Sequence, residues 1–221
     1  MQNPIPHPVV EKKSEVAEAI VDAAERLLNS YGYQKMTMTD LAAEAGIGVG
    51  TTYLHFASKA DVAVAVVERI HGRMLRSLES IAASDQMPNK LLEELLLQRI
   101  LAPYAYVKNK LTTMSWQQMN RQGTEFMNDV HQTNPGRIEH WRAAEAVIIA
   151  AVLKSGTECG QFLDVDPLQT AGTLLTATSG FFPKHLEQKD FVYADEFEQR
   201  VKDVIQLLIN GILYQRNMDG K

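Results

Sequence analysis

Hydrogen-bond donors recur in one short stretch of this chain, which reads VGTTYLHFASK from Val49 to Lys59. The donors in it include Thr51, Tyr53, His55 and Lys59. Hydroxyl, imidazole and ammonium groups of this kind bind anionic oxygens, including those of phosphate. The preceding residues Gly48 and Gly50 are small, so the backbone there can approach the floor of a groove closely. The pattern predicts a surface that binds an anionic, grooved partner.

Two short helices are expected to position these donors. Thr37 stands three residues before Asp40, which is the spacing of a capping box that satisfies free N–H groups at a helix start. The apolar residues that follow recur at helical spacing: Met38, Leu41, Ala42 and Ala45. Gly46 then supplies the left-handed conformation that ends a helix. We predict a helix from Thr37 to Ala45 and a second helix that starts near Val49.

The second helix divides into a buried and an exposed side. Thr52 and Phe56 lie one turn apart and are expected to face the core. The rest of its surface is then free for contacts: Val49, Gly50, Thr51, Tyr53, Leu54 and His55. Ser58 and Asp61 repeat the capping-box spacing, so a third helix is expected to begin at Lys59.

The residues from about Val16 to Val66 resemble the DNA-binding domain of the tetracycline-repressor (TetR) family of bacterial transcriptional regulators. The resemblance covers Ala23, Ala24 and Leu27, then Gly32, the segment AGIGVGTTYLHF and the trailing SKADV. It implies that the second helix lies in the major groove of DNA and that Gly50, Tyr53, His55 and Lys59 touch DNA. With the neighbouring exposed positions, the expected DNA-binding set is Thr37, Thr39, Val49, Gly50, Thr51, Tyr53, Leu54, His55 and Lys59. Three positions depart from the family pattern: Gly48 stands where Ser is common, Thr52 where Leu or Ile is usual, and Leu54 where an aromatic residue is frequent. The base preference is therefore not carried over.

The charge of the chain sets a limit on how it would bind DNA. The net charge is −5, and residues 1–60 hold five Lys or Arg against seven acidic residues. Without a broad basic surface, binding must depend on neutral donors, helix N-termini and two copies acting together. The sequence therefore predicts a shallow dependence of DNA affinity on salt.

Several other protein classes fit the sequence poorly. The six histidines form no HExxH pair, the single Cys159 has no metal-ligand partner at useful spacing, and no phosphate loop or GxSxG motif occurs. We expect no enzyme activity, no cofactor and no metal. The N-terminus is not a signal peptide, and no apolar run has the length of a membrane span, so a cytoplasmic protein without membrane attachment is expected.

The chain is predicted to be all-α, with about nine helices in two lobes. Residues 1–13 read as a disordered leader, 14–58 as the helix-turn-helix DNA-binding domain, 59–217 as a ligand-binding and dimerisation domain, and 218–221 as a tail. Pro103 is expected to interrupt the helix that contains the leucines from Leu91 to Leu96.

Two further surfaces are predicted in the larger lobe. The resemblance implies a homodimer formed by the last two helices, through Leu168, Leu175, Phe181, Val201, Ile205 and Leu208. Aromatic and methionine residues are expected to line a pocket for a small apolar or aromatic effector: Tyr104, Met114, Trp116, Met119, Phe126 and Trp141.

The predicted function is a dimeric regulator, most simply a repressor, that leaves a palindromic operator when the effector binds. The alternative from the same residues is a helical protein-binding module that has lost DNA binding.

Overall fold

The computed structural model describes residues 15–112 and 114–213, and this part of the chain is all-α, as the sequence predicts. A single antiparallel bridge between Phe162 and Leu213 is its only extended pairing. The expected leader 1–13 and the tail 218–221 lie outside the described residues. The ten α-helices are α1 Glu15–Ser30, α2 Met38–Ala45, α3 Val49–His55, α4 Lys59–Ala82, α5 Pro88–Lys110, α6 Trp116–Thr133, α7 Arg137–Glu158, α8 Pro167–Ala177, α9 Gln188–Val192 and α10 Ala194–Asn210, with short 3₁₀ helices at Ser179–Phe181 and Pro183–His185.

The described residues form two compact units. Among the described residues, the first unit comprises 15–69 together with Gln122–Pro135, and the second comprises those of 70–121 and of 136–213. The unit boundaries thus fall inside α4 and α6, whereas the sequence placed a single boundary between residues 58 and 59. The beginning of α4 belongs to the first unit because its apolar residues, including Val62 and Val66, are buried there.

In the first unit, α1 packs against α2 and α3. The apolar stripe of α1 is buried at Ile20, Val21, Ala24 and Leu27, because these residues recur on one side of a 3.6-residue helix. Gly32 follows α1 with φ +84°, a left-handed conformation that glycine adopts without strain. This small core fixes the direction in which the short α2 and α3 present their outer faces.

In the second unit, one apolar core lies between α5, α7, α8 and α10. The stripe Phe197, Val201, Ile205 and Ile209 of α10 has four-residue spacing and is 2% exposed or less, because it packs on α5. Within α7, Gly156 is buried, and a Cβ there would lie 2.1 Å from Cδ2 of Phe162. Glycine at this position allows the Phe162 ring to approach the helix.

The expected interruption of α5 at Pro103 is wrong. α5 continues through Pro103, although proline removes a helical hydrogen bond to the Arg99 carbonyl. Burial of Ile100 and Tyr104 on either side, each 1% exposed or less, offsets that loss. The described residues hold ten α-helices, close to the expected nine, and the short α9 was not expected.

None of the helices within the described ranges combines the length and apolar character that a bilayer span requires.

Candidate nucleic-acid interface

The turn between α2 and α3 has the geometry that its sequence predicts. The Thr37 hydroxyl accepts a hydrogen bond from the Asp40 N–H at 3.1 Å, and the Asp40 carboxylate accepts from the Thr37 N–H at 3.0 Å. Gly46 ends α2 with φ 70°, and the Ile47 N–H donates to the Ala42 carbonyl at 2.9 Å. Gly48 precedes α3, and its carbonyl accepts from the Thr51 N–H at 2.9 Å. Backbone hydrogen bonds and caps therefore fix the angle between the two helices.

The two sides of α3 differ sharply in exposure. Thr52 is fully buried and Phe56 is 9% exposed, so both face the core of the first unit. Tyr53 is 54% exposed and Leu54 is 85% exposed. The remaining expected contact residues of α3 are exposed at Val49, Gly50 and His55 and half-buried at Thr51. This outer side offers a phenol, an imidazole, a hydroxyl and an apolar side chain to a partner.

Three expected contact residues lie outside α3. Thr37 and Thr39 are both exposed, but the Thr37 side chain is engaged in the cap of α2. Lys59 is half-buried, with Nζ 3.2 Å from the Tyr33 carbonyl and 4.2 Å from the centroid of the Tyr33 ring. An ammonium has three donors, so this arrangement leaves Lys59 two further N–H groups while holding it in place.

The charges of the first unit are largely paired with one another. Arg26 binds Glu44, with Nε to Oε1 at 2.5 Å. The Arg69 guanidinium binds Glu18 and Asp22 of α1, and these hydrogen bonds raise the pKa of Arg69 against the opposing effect of its burial. Internal pairing of these arginines keeps them from forming a basic surface, which agrees with the expectation from composition.

Tyr33 joins the end of α6 to the helix-turn-helix. Its hydroxyl donates to Oδ2 of Asp129 at 2.5 Å, and its ring meets Phe126 edge-on at 5.2 Å between centroids. Burial, with the Asp129 hydrogen bond, raises the pKa of Tyr33 well above its usual range. A Cβ on Gly32 would lie 1.9 Å from Oε1 of Gln122. The C-terminal half of α6 is therefore an integral part of the first unit, which the local sequence pattern did not reveal.

Phe126 and Tyr104, two of the expected effector-lining residues, lie in different units. Phe126 belongs to the first unit and packs on Tyr33. The Tyr104 ring is 1% exposed and stacks on Phe197 and Phe191, with centroids 4.3 and 5.0 Å away. Its hydroxyl donates to the Asp190 carbonyl at 2.9 Å. Tyr104 is thus a core residue whose only polar atom is satisfied.

The other four expected effector residues lie in the second unit and are half-buried: Met114, Trp116, Met119 and Trp141. Trp116 approaches Phe191 at 5.3 Å between centroids. Trp141 stacks on His71 at 5.1 Å, with 26° between the planes. The structure therefore assigns the two tryptophans to different neighbours within the unit.

Three of the expected dimer residues are buried within a single chain. Leu175, Val201 and Ile205 are 1% exposed or less and belong to the core of a single chain. Phe181 and Leu208 are half-buried against the same core, and Leu168 is 57% exposed. The sequence stripe that suggested an interface on α10 is the stripe that packs on α5. On the outer side of α8, an open groove of about 420 Å³ is lined by Gln169, Gly172, Thr173, Thr176 and Ala177.

A buried polar cluster in the second unit was missed by the sequence analysis. Nε of Arg99 donates to Oε2 of Glu145 at 2.5 Å, and Nη1 donates to the Thr178 hydroxyl at 3.2 Å. His71 lies beside them, with Nδ1 3.7 Å from Oε1 of Glu145 and a buried Nε2 that has no hydrogen-bond partner. The sequence did contain a signal for this cluster. Arg99 follows Leu95 by four residues and Leu96 by three, so helical spacing places it on the apolar side of α5.

Comparison with known proteins adds to this geometry. Residues 20–66 match the family model described as "Bacterial regulatory proteins, tetR family". The chain is similar to the HTH-type transcriptional regulator TtgR of Pseudomonas putida, 33% identical over 91 residues, which are 40% of this chain and 42% of TtgR. It is also similar to the HTH-type transcriptional repressor BepR of Brucella suis, 25% identical over 169 residues, which are 76% of this chain and 79% of BepR.

A solved structure with the same fold is SmeT, the repressor of the multidrug efflux pump SmeDEF of Stenotrophomonas maltophilia. It has 17% sequence identity and a TM-score of 0.57, and the match covers 90% of this chain and 91% of SmeT. SmeT has also been solved as a complex with triclosan. The chain spans 36% to 42% of the length of the first curated relatives it matches. The proteins named here are transcriptional regulators, and none is named as an enzyme.

Proposed function

We propose that this chain is a transcriptional regulator of the TetR family, whose model residues 20–66 match, and that it binds a palindromic DNA operator as a homodimer. The observation that carries the proposal is the outer side of α3, where Tyr53 and Leu54 remain exposed although the helix is only seven residues long. A helix of this length is too short to be stable alone, so the capped turn and the core beneath it hold this exposed surface in place.

In the proposed complex α3 lies in the major groove. Tyr53 and His55 donate hydrogen bonds to phosphate oxygens, and the N-terminus of α3, with Gly48 and Gly50, comes close to the DNA backbone. Thr37 and Thr39 at the start of α2, and Lys59 at the start of α4, contact phosphates on either side. Val49, Thr51 and Leu54 face base edges. The fixed Lys59 side chain, held by Tyr33, loses little freedom when it binds.

The proposed homodimer supplies two copies of α3 for the two halves of a palindrome. Its contact surface comprises the outer sides of α8 and α10, since their inner sides are used within one chain. Leu168 at 57% exposure and Leu207 at 72% exposure are apolar residues available there. The groove along α8, lined by Gly172 and Ala177 among others, has the small residues that close helix packing requires. Light scattering at micromolar concentration tests this: we expect twice the mass of one chain, and a monomer would contradict the dimer.

The proposed effector is a small apolar or aromatic molecule that binds the second unit near Met114, Trp116, Met119 and Trp141. SmeT, which has the same fold, binds triclosan in its solved complex. Both tryptophans of the chain lie in the second unit, so their fluorescence reports on that unit alone. A titration with triclosan, followed by tryptophan emission and by DNA affinity in parallel, is the first test. We expect the emission to change while DNA affinity falls.

For the effector to release DNA, it must favour one conformation of the regulator over another. Coupling of about 1–3 kcal/mol between two sites is typical, which changes DNA affinity by about 5- to 150-fold. We propose that α4 and the C-terminal half of α6 transmit this change, since residues of both belong to the same unit as α3. The Tyr33 hydroxyl and Asp129 would hold α6 to that unit. The cytoplasm is the proposed location, because operator DNA is found there in bacteria.

Selection from randomised duplex DNA tests DNA binding directly. We expect the purified protein to enrich a palindromic sequence and Tyr53→Ala to lose it. Tyr193→Ala is the matched control, since Tyr193 is 59% exposed and belongs to the second unit. Failure to enrich any sequence with an intact fold would contradict the proposal and favour the helical protein-binding module.

The salt dependence of binding tests the electrostatic part of the proposal. Each phosphate neutralised by Lys or Arg contributes about −0.9 to the slope of log affinity against log salt. With Arg26 and Arg69 paired inside the unit, we expect few released counterions and a shallow slope. Affinity measured across a series of salt concentrations gives the slope, and a steep one would show that further basic groups contact DNA.

A further inference from the structure

Leu54 has the most exposed large apolar side chain in the described part of the chain. Its exposure is 85%, compared with 54% for the neighbouring Tyr53 and 37% for Val49. An exposed leucine contributes little to the stability of the fold, since burial of apolar area is what stabilises. Its apolar surface lowers the free energy only when a partner covers it.

The space beside Leu54 is open on one side. Gly50 lies four residues earlier and therefore one turn away on the same side of α3. A helical side chain leans towards the N-terminus, so Leu54 extends over the turn that contains Gly50. A Cβ at Gly50 would find no atom within 4 Å. A small group of a partner can thus enter between the two positions and contact the leucine methyl groups.

In the major groove of DNA, one base edge has a group that suits this surface. Guanine, cytosine and adenine present hydrogen-bond donors and acceptors there, whereas thymine adds a C5-methyl group. Leucine can satisfy no donor or acceptor. Burial of its side chain against a purely polar edge would leave that edge without its water partners.

We propose that Leu54 reads thymine in each half of the operator by apolar contact with the C5-methyl group. This inference rests on the proposed function, because it assumes that α3 lies in the major groove. It assigns to Leu54 a role in specificity that is separate from the phosphate contacts of Tyr53 and His55.

Replacement of thymine by deoxyuridine tests the inference, since it removes the methyl group and leaves base pairing intact. Each thymine of the enriched operator is replaced in turn, and the affinity is measured by fluorescence anisotropy. Loss of one buried methyl group predicts about fourfold weaker binding for one half-site and about fifteenfold when both are replaced. We expect one symmetric thymine position to show this effect.

The variants assign the effect to Leu54. In Leu54→Ala, the ratio of affinities for thymine and deoxyuridine at that position should fall close to one, and in Leu54→Met an apolar contact should retain a preference for thymine. Val192→Ala, which shortens a 64% exposed apolar side chain of the second unit, should leave the ratio unchanged. A ratio cancels any effect that acts equally on both DNAs.

Three results would overturn the inference. Unchanged wild-type affinity with deoxyuridine at every position is one of them, and a thymine preference that persists in Leu54→Ala is the second. Either result contradicts the role of Leu54 while DNA binding itself stands. If no DNA is enriched at all, the proposed function and this inference are both wrong.

Discussion

The two units hold their polar side chains in opposite ways. In the first unit the groups proposed to bind DNA lie outside a small core and are positioned by caps between residues three apart, such as Thr37 and Asp40. In the second unit, Arg99 and Glu145 are 3% and 4% exposed and meet across 46 residues of sequence. Short-range bonds can present a surface, but a buried charge requires partners from several helices. A single substitution should therefore change partner binding where the group is exposed, and the stability of the fold where the group is buried.

The largest effect is expected from breaking the buried ion pair. Glu145→Gln removes the charge that compensates Arg99, and the remaining guanidinium stays in the core of the second unit. Loss of one partner of a buried pair costs about 3–5 kcal/mol in the free energy of unfolding. Urea denaturation followed by circular dichroism measures it.

The double variant Arg99→Met with Glu145→Leu is the control for that prediction. It removes both charges and leaves apolar side chains in the same space, so it should be far more stable than Glu145→Gln alone. Equal losses in the two variants would mean that packing volume, and not the uncompensated charge, determines the result.

The next effect is a dependence of stability on pH that originates at His71. Burial, together with the charges of His140 and Arg99, lowers the pKa of His71 to about 4, against a hydrogen bond with the Trp141 backbone that raises it. The unfolded chain takes up this proton near the ordinary pKa of about 6.5, but the folded chain does not. The free energy of unfolding should therefore fall by about 1–3 kcal/mol as the pH drops from about 6.5 to about 4. Below about pH 4 this contribution should level off.

His71→Gln should flatten that part of the pH profile. His185→Gln, at an exposed histidine, should retain the wild-type slope. Denaturation midpoints at a series of pH values provide the comparison. If the slope persists in His71→Gln, another group carries the pH dependence.

A smaller effect is expected from the cap of α2. Thr37→Ala leaves the Asp40 N–H without its side-chain acceptor and should lower the free energy of unfolding by about 1 kcal/mol. Thr39→Ala is the matched control, because Thr39 is exposed within the same turn of helix and is not the cap residue. Equal losses in the two variants would contradict a special role for the cap.

The smallest expected effect is a gain in stability, and it distinguishes the buried side of α3 from its exposed side. The Thr52 hydroxyl is buried and has no hydrogen-bond partner, which leaves a desolvated polar atom in the small core. Thr52→Val keeps the shape and removes that atom, so stability should rise by about 1 kcal/mol.

Operator affinity should remain unchanged in Thr52→Val, since residue 52 faces inward. Thr51→Val, on the outer side of the same helix, provides the control, with little change in stability. A Thr52→Val protein that is less stable than the wild type would show that the hydroxyl has a partner, such as a water molecule.

The helix-turn-helix was predictable from sequence because its signals are local. The capping box at Thr37, the left-handed Gly46 and the buried pair Thr52 and Phe56 all appear as expected. Each depends on neighbours within a few residues, so the chemistry of the residue types was sufficient. The exposed side of α3 was predictable as well, because it consists of the residues that do not face the core.

The second unit was less predictable because its signals depend on distant partners. Pro103 would end an isolated helix, but packing of Ile100 and Tyr104 lets α5 continue. The stripe of Val201 and Ile205 was assigned to a dimer interface from the family resemblance, because its packing on α5 depends on residues far away in the sequence. Phe126 was placed with the wrong lobe because its neighbour Tyr33 is 93 residues away in sequence.

Local sequence is sufficient to specify the all-α class, the capped turn and the outer side of α3, since hydrogen bonds and side-chain periodicity within one or two turns specify them. Long-range packing was needed to show that α6 contributes to the first unit, that Tyr104 and Ile205 belong to a core, and that Arg99, Glu145 and His71 meet. These outcomes arise from burial against residues far away in the chain, and the free energy of such burial is not encoded in any single segment.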